Sequence, residues 1–488
     1  MRSASKVCDA VVIGGGPAGA TAASLLASWG RSVVLVHHES DQPSLAESLP
    51  WSTRKLLRFL GQLDAIDAAG FHPNHGNISR WAGKEATAVT ADPGYHISRR
   101  AFDRVLRDHA RAQGASIVDA AVNRVDVSSS VTLECANARY QAAFVLDCSG
   151  RAGIVARHGL RRANAGYRTL AIAAEWECRD WPAAERTHTF VDSYQNGWAW
   201  SVPLSGTIRQ CTVMVDAELT TIRKASLETL YRSELRKAVS IEDRLAGCRQ
   251  LRNAWACDAS VYHCAQAADG KALLVGDAAS FIEPLSSAGV KKALASAWRA
   301  SVVVNTAIDE PGMLGAASDF HNRRERHVYD ECARRSAVFF RSASAVYDDR
   351  FWSARAEGSS DSVRAIGDEP TDGELMRDRS VQLAFGQLRD RPALDLTVTP
   401  ELAFDRSAVV EGNKIVLREA LVVPGCDDAV RFVFGVNLPE LVRLVAGSRD
   451  VSSLIERYHA RVAVIDPRHI LVGLSFLVSK GLVKARER

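Results

Sequence analysis

The chain has 488 residues, which is long enough for about three domains of ordinary size and too long for a small fold that depends on disulfides. Its 61 Lys and Arg residues nearly balance its 57 Asp and Glu residues, so the net charge of +4 does not predict nucleic acid or an anionic membrane as the main partner. Hydrophobic residues make up 47% of the chain and charged residues 24%, which is typical of a globular protein with a large core.

The ten cysteines show no Cys-x-x-Cys pair and no cluster with histidines at metal-binding spacing. We expect reduced, mostly buried thiols and no metal site. The long apolar stretch near the N-terminus is interrupted by glycines and a proline, which suits a strand, turn and helix better than a signal peptide or a membrane span. These features predict a cytoplasmic protein without a membrane partner.

A glycine-rich segment near the N-terminus predicts a dinucleotide site. The sequence Gly-Gly-Gly-Pro-Ala-Gly at 14–19 lies between apolar runs at 11–13 and 33–36, as in a β-α-β unit. In such a unit the first glycine of the motif permits the tight turn, the second lets backbone N–H groups approach a pyrophosphate, and the third lets the helix pack closely on the strand. The residues predicted for this site are Gly14, Gly16, Pro17, Ala18 and Gly19.

The residue that should hold the adenosine ribose departs from the usual pattern. An acidic side chain is expected at the end of the second strand, but strict register places His37 there, with Glu39 two residues later. Either a local bulge brings Glu39 to the ribose, or a histidine ring at 37 or 38 makes the hydrogen bond. A third interpretation, in which these histidines are solvated strand-end residues, stays open as well.

A second strand, turn and helix lies between residues 272 and 300. An apolar strand ends at Asp277, a loop turns at Pro284, and a helix begins near Gly289. Asp277 at a strand end is suited to accept a hydrogen bond from a ribityl or ribose hydroxyl. The free N–H groups of the helix start suit an anion, such as the N1–C2=O edge of a reduced flavin.

The middle and end of the chain predict further elements. Between 167 and 215 apolar and polar residues alternate, which predicts an antiparallel sheet with one buried face, suited to cover a substrate. A segment rich in Gly, Ser and Asp follows residue 357 and is predicted to be a linker. Short helical patterns between 438 and 483 resemble a winged-helix module.

Taken in order, these motifs resemble those of the FAD-dependent monooxygenases of the aromatic-hydroxylase fold, and within them the flavin-dependent halogenase group. The resemblance covers residues 7–355. It includes Arg99, which matches the family's FAD-contacting arginine, and Glu47-Ser48, which resembles the segment near the isoalloxazine. The sequence Trp-Ala-Trp-Ser-Val-Pro at 198–203 looks like the group's Trp-x-Trp-x-Ile-Pro signature, with Val in place of Ile.

The resemblance implies an α/β fold with a Rossmann-type FAD-binding domain, an antiparallel substrate-domain sheet and a small C-terminal winged-helix-like module. The predicted boundaries are 1–165 with 250–356 for FAD binding, 166–249 for the substrate sheet, 357–392 for the linker and 393–488 for the C-terminal module. It also implies non-covalently bound FAD, O2 as co-substrate, and NAD(P)H or a separate flavin reductase as electron source.

Departures from the halogenase pattern decide the expected reaction. The catalytic lysine of that group lies in a Gly-Phe-x-Pro-Lys segment, and here the corresponding residue is Asn74, which cannot form a haloamine. Ser286 stands where tryptophan halogenases carry a glutamate, and Ala288 replaces the threonine near the halide site. The resemblance therefore implies hydroxylation of an electron-rich ring through a flavin C4a-hydroperoxide, and halogenation is disfavoured.

Within the group, the chain resembles members that lack the lysine and hydroxylate a tryptophan inside a protein during tryptophylquinone biogenesis. The implied substrate is a protein or peptide that bears a tryptophan, modified alongside other maturation enzymes. Two alternatives stay open. One is a hydroxylase or atypical halogenase of a free aromatic metabolite, and the other is a flavin-sensing regulator whose C-terminal module binds DNA.

Glu47, His72 and His75 are the candidate acid–base residues near the substrate, because an imidazole or a desolvated carboxylate can hold a pKa suited to proton transfer. Of these, Glu47 is better placed to line the flavin site than to act as a base. His96, which precedes Arg99, is expected to pack in the interior.

Overall fold

A computed structural model gives the fold. The structure describes residues 6–39, 43–128, 130–136, 138–157, 160–163, 167–218, 226–357, 375–376, 378–390, 394–426, 429–448 and 450–487. The chain forms two compact units, residues 1–363 and 364–488.

The first unit contains the helices and strands that surround the predicted flavin site. Its strands are, in chain order, β1 (Lys6–Ile13), β2 (Val33–His37), β3 (Ala46–Leu49), β4 (His72–Trp81), β5 (Lys84–Ser98), β6 (Ser116–Asp119), β7 (Val122–Asp126), β8 (Val131–Cys135), β9 (Ala138–Asp147), β10 (Arg161–Ala163), β11 (Thr169–Glu177), β12 (His188–Tyr194), β13 (Gly197–Pro203), β14 (Ile208–Asp216), β15 (Arg249–Gln250), β16 (Trp255–Asp258), β17 (Tyr262–Cys264), β18 (Ala268–Asp269), β19 (Ala272–Leu274) and β20 (Ser280–Phe281). Its helices are α1 (Pro17–Ser28), α2 (Ser52–Phe59), α3 (Leu63–Ala68), α4 (Arg99–Ala112), α5 (Leu227–Leu235), α6 (Val239–Leu245), α7 (Gly289–Asp309), α8 (Leu314–Ser344) and α9 (Arg350–Glu357).

The first large sheet is the Rossmann-type sheet. Its order is β18-β19-β9-β1-β2-β6, and β8 and β7 continue it beside β9. The strands from β19 to β6 run parallel, and β1 is fully buried from residue 10 onward because elements cover both faces of the sheet. Helix α1 connects β1 to β2 and packs against α4 and α7, so the predicted β-α-β unit is confirmed.

The second large sheet is wider than the predicted substrate sheet at 166–249. Its order is β15-β11-β14-β13-β12-β4-β5-β3, with β16 beside β11. Strands from residues 46–98 and from 249–258 therefore belong to it. Its neighbours run antiparallel except β12 and β4, which are parallel with His188 opposite Gly76. Pairings between segments more than 100 residues apart leave no local pattern, which is why the predicted boundaries were too narrow.

Around β13 both faces of this sheet are buried, in contrast to the single buried face predicted from alternation. Trp198 and Trp200 of β13 belong to a core that includes residues of α8 and α9. Ala199, on the same strand, belongs to a different core that includes residues of α5 and α6, among them Tyr231. The alternation is real, but each set of side chains enters its own apolar core.

The second unit has a core of its own. Its elements are, in chain order, α10 (Arg379–Asp390), β21 (Leu394–Val398), β22 (Ala403–Glu411), β23 (Lys414–Val422), β24 (Phe432–Val433), β25 (Val436–Asn437), α11 (Leu438–Val445), α12 (Val451–Arg461), α13 (Pro467–Ser479) and β26 (Val483–Glu487). Strands β21 and β26 pair, as do β22 with β23 and β24 with β25.

The predicted linker at 357–392 is partly wrong. Residues 358–374, 377 and 391–393 lie outside the described residues, but α10 occupies 379–390 and packs on α13 in the second unit. Val381, Ala384 and Leu388 form its buried stripe, with the spacing of a helix face. The short helices predicted between 438 and 483 are confirmed as α11, α12 and α13. The winged-helix assignment stays a prediction.

Neither a membrane-spanning helix nor a metal site is found among the described residues. In that part of the chain, no helix has the length and apolar character needed to cross a membrane. Within the same residues, no group of three or more His, Cys, Asp or Glu side chains could hold a metal ion. All ten cysteines lie in the described ranges and are free thiols.

Candidate active site

A cavity of about 570 Å³ lies in the first unit, between the carboxyl ends of the parallel strands and the second sheet. Its volume is within the range typical of small-molecule and cofactor sites. The predicted site residues that line it are Gly14, Gly16, Pro17, Ala18, His37, Glu39, Glu47, Ser48, Arg99, Asp277, Pro284 and Gly289.

The glycine turn forms one wall of the cavity. Gly14 has φ +101°, and a Cβ there would lie 2.4 Å from the carbonyl oxygen of Cys148. A Cβ at Gly19 would lie 1.8 Å from the carbonyl oxygen of Gly14, so Gly19 sits beneath the turn and does not line the cavity. Helix α1 begins at Pro17 without a side-chain cap, which leaves its first-turn N–H groups available to an anion.

A row of charged residues on α4 forms a second wall. Arg99, Asp103 and Arg107 are spaced by four residues, and all three line the cavity. Arg99 Nε lies 3.1 Å from Asp103 Oδ1, and Arg99 Nη1 lies 3.3 Å from Glu47 Oε1. Arg99 is among the residues predicted from sequence, whereas Asp103 and Arg107 are not. Their spacing at four-residue intervals from Arg99 places them on the same helix face, and this spacing could have predicted them.

Two of the residues predicted for the ribose, His37 and Glu39, lie beside Arg107. His37 ends β2 opposite Asp119, and Glu39 Oε1 lies 3.7 Å from Arg107 Nη2. Burial, followed by the nearby Arg107 charge, lowers the pKa of His37 and favours the neutral ring. A neutral imidazole can donate one hydrogen bond and accept another. His37 and Glu39 are therefore both placed to bind a hydroxyl.

The turn after β19 carries Asp277 into the cavity. Gly276 has φ +63°, and its N–H donates to Ser296 Oγ at 2.8 Å. Helix α7 begins at Gly289 without a side-chain cap, and Gly289 lines the cavity. Two uncapped helix starts and one strand-end carboxylate thus face the same space.

These features fit FAD. A Cβ at Gly16 would have no heavy atom closer than 3.5 Å, so the open side of this glycine leaves room for a pyrophosphate at the start of α1. Asp277 would accept from a ribityl hydroxyl, and the start of α7 at Gly289 would meet the N1–C2=O edge of the isoalloxazine. Arg99 would add a positive charge beside them. When bound, FAD supplies electrons and activates O2.

Glu47 lies in this cavity and pairs with Arg99. Burial raises the pKa of the Glu47 carboxyl, and the Arg99 charge opposes that effect. Part of the Glu47 side chain, 30% of its surface, stays open. Glu47 is therefore the one predicted acid–base residue that the structure brings to the cavity.

His72 and His75 are not brought to the cavity. The His72 Nε2 atom lies 2.9 Å from the carbonyl oxygen of Arg186, and the backbone N–H of His75 donates to Thr187 at 3.1 Å. Both belong to β4, an interior strand of the second sheet, and they contact the turn before β12. His96 is buried there as expected, and burial lowers its pKa to about 3.

The side chain of Asn74, which the resemblance aligns with the halogenase lysine, is held by three hydrogen bonds within the protein. Its Nδ2 donates to Ser48 Oγ at 2.9 Å and to the carbonyl oxygen of Leu49 at 3.1 Å, and its Oδ1 accepts from the N–H of Gly76 at 2.9 Å. Both amide donors are therefore used. The side chain fixes the strand end that carries Ser48 into the cavity.

The part of the cavity formed by the second sheet is mostly apolar. The rings of Trp198 and Trp200 lie 4.9 Å apart at an angle of 31°. Other residues of this wall are Ala171, Thr189, Val191 and Val202, and Phe281 of β20 and Leu285 of the following turn line the cavity as well. The wall is suited to hold a flat aromatic group and to exclude water.

A buried carboxyl lies next to the cavity wall. Glu283 is 5% exposed, and neither carboxyl oxygen has a hydrogen-bond partner. Burial raises its pKa to about 7, and the charge of Arg355 opposes the shift. Glu283 is not among the residues predicted from sequence, because no local pattern indicates that it is buried.

Glu283→Gln is expected to change how stability depends on pH. A carboxyl with a pKa of about 7 in the folded protein, against an ordinary value of 4.5, binds its proton more tightly when folded. Its contribution to stability is fully present below the ordinary value and is lost as pH rises through about 7. At about pH 8 the variant should be more stable by about 3 kcal/mol, and at about pH 5 by less than about 1 kcal/mol.

Chemical unfolding of both proteins, followed by flavin fluorescence, measures this difference. Glu85→Gln, at an exposed position of β5, is the control and should shift stability by less than about 0.5 kcal/mol at either pH. Equal stability of parent and Glu283→Gln at both pH values would show that the carboxyl is not held neutral.

A Rossmann-type sheet, a glycine turn, a strand-end aspartate and a helix start around one cavity define an FAD-dependent oxidoreductase. The sequence profile of the tryptophan halogenase family matches residues 46–366. The chain belongs to this family, whose flavin-dependent members use FAD and O2 with reduced flavin supplied by a separate flavin reductase.

Characterised relatives and solved structures agree with this assignment. The tryptophan 2-halogenase of Chondromyces crocatus is 28% identical over 377 residues, which cover 73% of this chain and 71% of that protein. The flavin-dependent halogenase CmlS has a TM-score of 0.78 at 22% identity, over 98% of this chain and 96% of that one. The peptidyl tryptophan dihydroxylase QhpG, essential for tryptophylquinone cofactor biogenesis, has a TM-score of 0.70 at 23% identity. The match covers 97% of this chain and 99% of that one.

Proposed function

We propose that the protein is a flavin-dependent monooxygenase that hydroxylates an electron-rich aromatic ring, namely a tryptophan within a protein or peptide. The observation that carries the proposal is Asn74. A lysine at this position would offer an amine for capture of hypohalous acid, whereas both donors of Asn74 are used within the protein. In this proposal the protein keeps the family's use of O2, but it has no amine at this position to transfer a halogen to the substrate.

Two further observations support this substrate class. The apolar wall around Trp198 and Trp200 suits an indole ring. QhpG, a peptidyl tryptophan dihydroxylase, resembles this chain along nearly its whole length. In this proposal a separate reductase supplies the electrons, and the polypeptide substrate comes from a pathway with other maturation enzymes.

The residues of the cavity have separate tasks in this reaction. The glycine turn, Asp277 and the start of α7 bind and orient the cofactor. The tryptophan wall orients the aromatic ring and keeps water from it. Glu47 can hold the proton that leaves the ring carbon when aromaticity is restored, because burial raises its pKa and part of its side chain stays open.

Halogenation is the second candidate, because the characterised relatives include several halogenases. The positions that argue against it are Asn74, Ser286 and Ala288, which stand where the family's lysine, glutamate and threonine are expected. A flavin-sensing DNA-binding regulator has less support. In the second unit, Arg443 pairs with Glu419 and Glu440, so its charge is already balanced within the protein.

The deciding experiment is mass spectrometry after incubation of the purified yellow protein with a flavin reductase, NADH, 18O2 and bromide. The substrates are a polypeptide that bears one tryptophan, the same polypeptide with phenylalanine in its place, and free tryptophan. We expect 18O only in the tryptophan polypeptide. Label only in free tryptophan would indicate a metabolite hydroxylase, and a bromine isotope pattern in any product would overturn the proposal in favour of a halogenase.

A further inference from the structure

The side chain of Lys292 is buried behind the cavity, and the fold alone does not explain why a cation is buried there. Lys292 is in the first turn of α7, and its side chain is 1% exposed. Burial removes the hydration of its ammonium, and the positive end of the helix dipole also disfavours a cation there. A lysine at this position therefore requires strong compensation from its neighbours.

The hydrogen bonds that compensate this ammonium all go to a single turn, and the buried Glu325 carboxylate adds a charge interaction. The ammonium of Lys292 donates to the carbonyl oxygen of Gly276 at 3.1 Å, to Asp277 Oδ1 at 3.2 Å, and to the carbonyl oxygen of Ser280. An ammonium has three donors, and all three acceptors belong to residues 276–280. Lys292 thus holds this turn against the start of α7.

The same turn carries a cofactor-binding side chain. Asp277 lines the cavity, and 29% of its side-chain surface stays open. Around Arg99 the site holds three carboxylates, those of Glu47, Asp103 and Asp277, whose charges all act on that one guanidinium. The positive charge of Lys292, behind Asp277, offsets part of the negative charge of these three carboxylates on the side away from the cavity.

We propose that Lys292 is a positioning residue for FAD, which fixes the Asp277 carboxylate at the cavity wall and places a buried positive charge behind the flavin site. The proposal concerns cofactor binding and does not depend on the substrate or on the reaction. It assigns a role to a residue that does not itself line the cavity.

The test compares Lys292→Met with Lys291→Met. Lys291 is the neighbouring residue and carries the same charge, but its ammonium donates to Ser52 Oγ at 3.3 Å, away from the 276–280 turn. FAD affinity is measured by titrating apoprotein with FAD and following flavin fluorescence. We expect Lys292→Met to weaken FAD binding about 10- to 100-fold and Lys291→Met to change it less than about twofold.

The midpoint potential of the bound FAD is the second readout, and a purely structural role for Lys292 would not move it. Reduced flavin carries more negative charge than oxidised flavin, so removal of a nearby cation should make the potential more negative. Lys291→Met should keep the parent value. Unchanged affinity and potential in Lys292→Met would overturn the proposal.

A double-mutant cycle tests whether the lysine acts through Asp277. If it does, Lys292→Met should weaken FAD binding less in the Asp277→Asn background than in the parent protein. Fully additive losses would contradict the proposal. Lys292→Gln, which keeps an N–H donor for the turn, is made in parallel. If neither Lys292 variant folds as apoprotein, the residue serves folding and the proposal is overturned.

The outcome is independent of the proposed reaction, because neither FAD affinity nor the midpoint potential requires a substrate. A protein that fails to hydroxylate tryptophan could still show the Lys292 effects in full. Conversely, a protein that hydroxylates tryptophan with unchanged cofactor binding in Lys292→Met would refute only the role of Lys292.

Discussion

Gly19→Ala is expected to prevent normal folding of the first unit, whereas Gly16→Ala should leave the fold intact and abolish tight FAD binding. A Cβ at Gly19 would lie 1.8 Å from the carbonyl oxygen of Gly14 and 3.1 Å from the Cβ of Cys148, so helix α1 cannot keep its distance from β1. The destabilisation should exceed about 3 kcal/mol, the upper end of ordinary overpacking, because the clash is with backbone.

Gly16→Ala tests whether the cofactor lies against this glycine, without disturbing the packing of α1. A Cβ at Gly16 meets only Arg99 and Asp103 side-chain atoms at 3.5 and 3.7 Å, which are ordinary contacts. The added methyl group would instead point toward the pyrophosphate, and FAD affinity should fall by roughly 100-fold or more. Circular dichroism reports the fold and FAD titration reports the affinity. Normal FAD binding by Gly16→Ala would show that the pyrophosphate lies elsewhere.

Trp352→Ala is expected to destabilise the first unit by about 3–5 kcal/mol, the range for loss of a large buried aromatic side chain. Trp352 is fully buried, and its ring centroid lies 4.8 Å from that of Phe351 and 5.4 Å from that of Trp81. Its Nε1 donates to the carbonyl oxygen of Tyr194 at 2.9 Å, and the variant leaves this acceptor without its partner. The same core contains the two tryptophans of the cavity wall.

The temperature at which FAD is released, followed by flavin fluorescence, reports the stability of this unit. Phe339→Ala is the matched control, since Phe339 also packs edge-on against Trp81, with a centroid distance of 6.0 Å, but is 48% exposed. It should cost less than about 1 kcal/mol. Equal effects of the two variants would indicate that α9 does not support the cavity wall.

The parts of the site that sequence reasoning could reach are those with a local pattern. The glycine turn, Asp277 at a strand end and Gly289 at a helix start combine residue type with the change from strand to helix. All of this is visible within about twenty residues. Each of these residues lies where its motif places it in the fold.

The parts that were missed depend on contacts between distant segments. His72 and His75 were expected at the cavity, but pairing of β4 with β12, more than 100 residues later, places their contacts at another turn. The burial of Glu283 and Lys292 results from the packing of whole elements. Helix α10 was missed for a different reason, because its apolar stripe lies next to a segment dominated by Gly, Ser and Asp.

Apolar cores lie on both sides of β11, β13 and β14 in the second sheet, and this limits which substitutions can change the cavity wall. Ala171, Met214 and Trp198 are cross-strand neighbours on β11, β14 and β13, and all belong to the core behind the cavity wall. Ala171 also lines the cavity, so a larger side chain there takes up cavity space unless a smaller one in the same row makes room for it. Changes of substrate in this lineage would therefore proceed by compensated exchanges across neighbouring strands, and substitutions in that row should covary.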